Sequence, residues 1–297
     1  MKLEEILDEK KIRYNEPMSK HTTMRVGGCV DIMVIPEKTE DIILTLRYAK
    51  ENNIPFKILG FGSNVIVSDE GLEGIVIKMT NKLEKITIDG DEITASVGTS
   101  MPKLATVAKD NSLTGFEFAC GIPGTIGGGV RMNAGAYGGE IKDVLVSVKF
   151  LDENLDIKEI ETKDMQFGYR ESIFKNNKNY VILEATFKFN KGDVNEITEA
   201  MKKNREARVS KQPLNYPNTG SIFKRPEGYF AGKLISDCNL KGVNIGDAMV
   251  STKHAGFIIN TGKATCKDIK ELILLIQKTI KEKFNVDIET EVEFIGK

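Results

Sequence analysis

Residues 121–139 read Gly-Ile-Pro-Gly-Thr-Ile-Gly-Gly-Gly-Val-Arg-Met-Asn-Ala-Gly-Ala-Tyr-Gly-Gly. Eight glycines fall in this stretch, and so glycine-rich a chain builds little core of its own. Glycine lets a backbone come close to a ligand and take up positive φ. Rows of N–H groups in such loops form anion-binding concavities, and helix N-termini act alike. Two further glycine loops lie upstream, Val26-Gly27-Gly28 and Leu59-Gly60-Phe61-Gly62-Ser63-Asn64. Separate loops of this kind suit a dinucleotide with a diphosphate. The familiar signatures are absent, however. Gly60-Phe61-Gly62 lacks the third glycine of a dinucleotide fingerprint and leads into a strand. Gly262-Lys263-Ala264 lacks the hydroxyl residue of a P-loop.

Outward from these loops the chain mixes strands and helices. Apolar residues at Ile42, Ile43, Leu46 and Ala49 predict a helix over 39–52 with Thr39 as N-cap. A short helix is expected at 3–11, and another at 101–111. Strands are expected at 31–35, 56–59, 65–67, 74–79, 84–88 and 92–97, with a hairpin turn at Asp89-Gly90. A second hairpin, 143–151 with 156–161, precedes a long strand at 180–189. A polar helix over 193–210 ends at Gln212-Pro213, the clearest domain break. Beyond it come a strand at 220–224, a helix at 229–237, a strand at 256–260 and a closing strand at 287–295. The stripe Ile269, Leu272, Ile273, Ile276 and Ile280 marks a strong amphipathic helix over 266–284. Frequent hairpins without steady alternation argue for α+β and against a doubly wound parallel sheet.

Bulk properties narrow the partners. The chain has 297 residues, 40% hydrophobic and 29% charged, which is globular and long enough for two or three domains. A net charge of −1 gives no global field for nucleic acid. The start, Met-Lys-Leu-Glu-Glu-Ile-Leu-Asp-Glu-Lys-Lys, has no apolar core of a signal peptide. No apolar run approaches the length of about 18 residues that spans a membrane. A cytoplasmic protein is expected. Cys29, Cys120, Cys238 and Cys266 form no paired spacing, so no metal is expected. His21 and His254 have no carboxylate partner nearby in sequence and read as incidental.

Several segments together carry a resemblance. They are Thr22–Gly28, Leu59–Asn64, Gly121–Gly128, Met132–Gly138, Gly168-Tyr169-Arg170-Glu171-Ser172-Ile173-Phe174, Thr219-Gly220-Ser221-Ile222-Phe223-Lys224-Arg225-Pro226 and Glu291-Val292-Glu293-Phe294-Ile295-Gly296. In this order, over nearly the whole chain, they resemble the UDP-N-acetylenolpyruvoylglucosamine reductase family. Arg131 stands where relatives commonly carry tyrosine or a small residue. Asn218-Thr219 stands where Ser-Ala is frequent. Only 51 positions separate Arg170 from Ser221, so the chain is similar to the shorter branch, without the extra tyrosine-bearing loop.

The resemblance implies an FAD-binding module of the vanillyl-alcohol-oxidase type in two subdomains, 1–78 and 79–211. An α+β substrate-binding domain, 212–297, would follow. FAD would be held without a covalent bond. Its expected contacts are Leu59, Gly60, Phe61, Gly62, Ser63, Asn64, Gly121, Ile122, Pro123, Gly124, Thr125, Gly127, Gly128, Asn133, Gly135 and Ala136. NADPH would give hydride to the flavin, which would pass it to C3 of an enolpyruvyl ether, leaving charge at C2 and the carboxylate. Arg170 fits the carboxylate, because a guanidinium grips it in two places. Ser221 is the implied proton donor to C2 and Glu291 its polarising partner. Strand alternation leaves Glu289, Glu291 and Glu293 on one face; the family's ending selects Glu291. Lys224 and Arg225 would meet diphosphate, and Tyr169 would line the substrate pocket. The partners are small molecules, and the chain is expected to be a monomer. Two rivals remain: another flavoprotein oxidase or dehydrogenase on the same module, and a non-enzymatic nucleotide-binding protein.

Overall fold

A computed structural model describes residues 2–297. The first stretch runs β1 (Ile12–Pro17), β2 (Cys29–Val34), α1 (Thr39–Glu51), β3 (Phe56–Leu59), β4 (Val65–Val67), β5 (Leu72–Lys78), β6 (Ile86–Asp89) and β7 (Glu92–Ser96). Then come α2 (Met101–Asp110), α3 (Ile126–Arg131), β8 (Leu145–Leu151), β9 (Ile157–Glu161), β10 (Val181–Lys188) and α4 (Val194–Lys211). The last part holds β11 (Asn218–Ser221), α5 (Ala231–Asp237), β12 (Ala248–Val250), β13 (Phe257–Asn260), α6 (Cys266–Phe284) and β14 (Glu293–Ile295).

The chain folds as two compact units. The first takes the residues up to Arg13, Ile32–Phe61 and Ile75–Arg208; the second takes Tyr14–Asp31, Gly62–Gly74 and Val209–Lys297. This differs from the three consecutive segments read from the sequence. Residues of 14–31 and 62–74 find their partners far along the chain. Strand β4 runs parallel to β14, Val65 opposite Glu293. The Asn260 amide donates to the Met24 carbonyl at 3.1 Å. Asp69 accepts from the backbone N–H groups of Cys266 and Lys267, at 2.8 and 3.0 Å. Such pairings leave no mark in local composition.

In the first unit, the antiparallel sheet β9-β8-β10-β7-β6 supplies one wall of the core. Helix α2 shows why its sequence folds there. Ser100 caps it by accepting from Lys103 N, Pro102 sits in its first turn, and Met101, Leu104, Ala105 and Ala108 are buried. These join Ile75, Ile77, Ile93, Phe116 and Phe187 in one cluster. The hairpin β6–β7 turns at Gly90-Asp91, between paired Asp89 and Glu92, one residue later than expected.

In the second unit, α6 packs the predicted isoleucine and leucine stripe beside Met24, Val26, Ile66 and Ile258. Each such side chain contributes about 1.5–3 kcal/mol on burial. Thr265 and Asp268 exchange side-chain-to-backbone bonds at 3.0 and 2.9 Å, a capping box, and left-handed Asn285 ends the helix. Other expected elements differ, among them the strand read at 220–224, which lies at Asn218–Ser221 because Gly220 bulges there. Residues 3–11 form two short 3₁₀ turns, because Asp8 caps the second through Lys10 N. Helix α1 is capped by Asp41, which accepts from Glu37 N, Lys38 N and Lys11 Nζ, and not by Thr39. The closing strand is only Glu293–Ile295. Before it, Gln277 and Asn64 side chains take the carbonyls of Ile288 and Glu291.

Candidate active site

The two glycine loops expected to meet one ligand are built in different ways. Strand β3 delivers the chain to Leu59, and Gly60 then passes Thr125 closely: a Cβ there would lie 2.7 Å from Thr125 Oγ1. Residues 59–61 and 121–125 are thus side by side in the first unit. The N–H groups of Gly60, Phe61, Gly62 and Ser63 donate to no acceptor among the described residues. Four successive unspent donors are an anion-binding feature. Gly62 has φ +68°, and a Cβ on it would lie 2.3 Å from the His21 carbonyl oxygen, so no other residue fits.

The 121–128 loop is the reverse. Its N–H groups at Ile126, Gly127 and Gly128 are spent on Thr99 O, Val97 O and Thr125 Oγ1. Gly127 and Gly129 are glycines for packing, since Cβ atoms there would lie 2.3 Å from Val97 Cγ2 and 2.7 Å from Met101 Sδ. Of the three glycines in α3, only Gly128 is exposed, and a Cβ on it would have Thr125 Oγ1 as its nearest neighbour, at 3.5 Å. This loop therefore offers bare backbone surface, not the row of free donors expected. Helix α4 holds its entry: Asn204 donates to Glu117 O at 3.1 Å, Cys120 Sγ to Met201 O at 3.5 Å, and Arg208 to Gly121 O. Burial pushes the Arg208 guanidinium below its ordinary pKa. Residues 201, 204 and 208 recur at helical spacing, a signal legible in the sequence but hidden within a charge-rich helix. Free donors on one loop and a smooth glycine surface on the other fit a flat dinucleotide such as FAD.

Arg170 belongs to the first unit. Its backbone is left-handed, at φ 60°. Its guanidinium donates to Asn133 O at 3.5 Å and Gly135 O at 3.2 Å, and lies 5.0 Å from the Tyr169 ring centre. Ser172 Oγ donates to Arg131 O at 2.7 Å. The Tyr-Arg-Glu-Ser motif is therefore strapped to the Met-Asn-Ala-Gly loop. Asn133, expected against the cofactor, is 0% exposed. Its amide donates to Glu140 Oε2 and Gly168 O, at 2.9 and 3.0 Å, and its oxygen accepts from Lys142 N at 3.1 Å. That side chain shapes the loop and has no amide group left over. Asn133, Tyr137 and Arg170 all have positive φ, a cluster of backbone strain of the kind found at functional sites.

Ser221 and Glu291 come together in the second unit. Between Asn218, opposite Ile259, and Ser221, opposite Phe257, β11 has one extra residue. Gly220 takes up the bulge at φ +79°, where a Cβ would meet nothing within 4 Å; conformation, not space, selects glycine. Bulges of this kind re-aim the next side chain. Ser221 Oγ donates to Phe223 O at 3.3 Å. Glu291 N donates to Ile222 O at 2.8 Å, and Asn64 Nδ2 donates to Glu291 O at 3.2 Å. Asn64, another expected cofactor contact, thus fastens the Glu291 segment. Glu289 pairs with Lys224 at 3.0 Å. Arg225 stacks on Phe230, 4.1 Å from the ring centre. Thr219 Oγ1 is buried without a partner among the described residues. Both histidines read from the sequence as incidental have partners: His21 Nε2 lies 2.9 Å from Glu16 Oε1, and His254, next to Gly256 and Ser221, takes the Gly256 N–H on Nδ1 at 3.2 Å.

Comparison with known proteins gives this site a setting. An FAD binding domain model matches residues 30–160, and the C-terminal domain of UDP-N-acetylenolpyruvoylglucosamine reductase matches residues 212–295. The reductase of Clostridium perfringens is 50% identical over 295 residues, 99% of this chain and 96% of that one. The chain belongs to the UDP-N-acetylenolpyruvoylglucosamine reductase family. A relative named as the same reductase in Caldanaerobacter subterraneus is 47% identical over 99% of this chain and 97% of its own. The crystal structure of the Thermus caldophilus reductase superposes with a TM-score of 0.82 at 30% identity, covering 95% of this chain and 99% of that one. Membership and the matched domain make this an α+β FAD-dependent oxidoreductase. No described helix is long and apolar enough to cross a membrane.

Proposed function

We propose that this chain reduces the enolpyruvyl ether of UDP-N-acetylglucosamine to UDP-N-acetylmuramate, with NADPH as hydride source, for peptidoglycan synthesis. It acts in the cytoplasm as a monomer on small-molecule substrates. The observation that carries this reading is 50% identity extending over 99% of the chain. FAD, when bound, relays hydride from NADPH to C3 of the enolpyruvyl group.

The chain's own residues handle position, charge and proton. Leu59–Asn64 presents N–H donors to the FAD diphosphate. Gly121–Gly128 gives it a close backbone wall, with Gly135 and Ala136 continuing that wall and Asn133 shaping it. Arg170 grips the substrate carboxylate, where charge grows as hydride arrives. A fixed donor at such a point is worth about 2.7–4 kcal/mol of barrier. Tyr169, stacked on Arg170, lines the same pocket. Ser221 delivers a proton to C2. A hydroxyl is a weak acid and needs a strongly basic enolate in fixed geometry, which the bulge at Gly220 favours. Glu291 polarises the forming acid, and Lys224 with Arg225 meets the diphosphate of the nucleotide sugar.

The test separates the half-reactions. Without oxygen, NADPH should bleach the yellow protein, and the enolpyruvyl nucleotide sugar should restore its colour. Ser221→Ala should leave the bleaching intact and slow colour recovery by about 100-fold or more. Colour returning only with oxygen would instead indicate an oxidase. Unchanged recovery in Ser221→Ala would remove that residue as proton donor.

A further inference from the structure

His254 occupies the turn that leads into β13. Ser251 Oγ accepts from Lys253 N at 3.2 Å and from His254 N at 3.3 Å. Phe257 N donates to His254 O at 3.0 Å, and Ser251 N to Phe257 O at 2.9 Å. Inside this frame the Gly256 N–H donates to His254 Nδ1 at 3.2 Å. The ring rests edge-on against Phe257, 4.8 Å between centres. Gly256 in turn governs β11: its carbonyl accepts from Ile222 N at 2.9 Å, and its neighbour Phe257 pairs with Ser221. A Cβ on Gly256 would lie 3.1 Å from His254 Cε1 and 3.3 Å from Ser221 Oγ. Imidazole and hydroxyl therefore flank one point, where a side chain larger than glycine's would press on both.

We propose that His254 is a positioning residue for Ser221: by accepting the Gly256 N–H it fixes the turn on which the bulged strand and its hydroxyl are registered. The imidazole must be neutral for this, with its proton on Nε2, since Nδ1 has no lone pair once protonated. Burial favours that neutral form by lowering the His254 pKa. The inference rests on Ser221 as proton donor, and the two are tested apart.

Asparagine can accept a hydrogen bond from the backbone N–H two residues on, as in an Asx turn, so it keeps the acceptor and loses the ring. Colour recovery on adding the enolpyruvyl substrate to reduced protein should slow about 10- to 100-fold in His254→Ala. His254→Asn should recover most of that loss, and bleaching by NADPH should be unaffected in both. Independently of turnover, Gly256 amide hydrogen exchange in the FAD-free protein should be slow in wild type and His254→Asn. It should be at least about 10-fold faster in His254→Ala. Wild-type exchange and recovery in His254→Ala would overturn the proposal, as would His254→Asn failing as badly as His254→Ala. If Ser221→Ala left recovery intact, the proton-donor reading would fail while the exchange result still judged the turn.

Discussion

Replacing Gly128 by alanine should stabilise the protein and weaken its hold on FAD. The residue is exposed, lies inside α3 and has an ordinary backbone; the nearest atom to an added Cβ, Thr125 Oγ1, is 3.5 Å away. Nothing in the protein opposes a methyl group. Glycine within a helix costs about 0.5–1 kcal/mol relative to alanine, so FAD-free protein should gain about that much, or about 1–3 °C in Tm for a chain of this size. Against the cofactor the sign reverses. A methyl on the bare wall forces the ligand outward and spoils at least one charge-assisted contact at the donors of Gly60 and Phe61, worth about 1.5–3 kcal/mol. The dissociation constant should rise about 10- to 150-fold. Two measurements on the same FAD-free preparation decide it: thermal unfolding, and titration with FAD followed by flavin fluorescence. A dissociation constant within about twofold of wild type, on a stabilised fold, would refute Gly128 as the cofactor wall. A destabilised fold would refute the packing argument itself.

Gly62→Ala should act in the opposite direction on stability. Its left-handed φ costs a side chain about 1–3 kcal/mol, and the His21 carbonyl at 2.3 Å from the new Cβ adds a clash; urea unfolding should show the loss, and FAD affinity should fall with it. Lys78 offers a pH test. It is buried, and desolvation lowers its pKa from 10.5 to about 8. Between about 8 and 10.5 the unfolded chain holds a proton that the folded chain has released, so stability contributed by this site rises with pH across that window. Lys78→Met should therefore remove this dependence, so that its stability relative to wild type falls by up to about 3 kcal/mol between pH 7 and pH 10.5. An equal difference from wild type at both pH values would mean that the titration of Lys78 is not the cause.

Local features were legible in the sequence, and long-range ones were not. The α6 stripe, the β8–β9 hairpin and α2 all depend on residues within a few positions of one another. Glycine content marked the loops but could not tell Gly127 and Gly129, which yield space to Val97 and Met101, from Gly128, which faces outward. Alternation put Glu289, Glu291 and Glu293 on one face of a strand, yet the strand begins only at Glu293. Asn64 and Asn133 were read from the sequence only as loop residues expected to meet FAD; that their amides also fasten Glu291 and the Gly168 turn depends on distant partners. His254 read as incidental because its partner is a backbone N–H two residues on, and the serine it supports is brought close only by the β11–β13 pairing.

The pairing of β4 with β14 has a bearing on biosynthesis. Val65 must wait for Glu293 to be made before the two strands can join. At about 5–20 residues per second of translation, that is about 10–45 s. Throughout that interval Met24, Val26 and Ile66, all buried in the finished second core, have no completed α6 to cover them. The nascent chain thus carries an adhesive segment until Cys266–Phe284 has been made. Ribosome-bound chains arrested before residue 266 should bind a general chaperone through this segment, and chains released at full length should not.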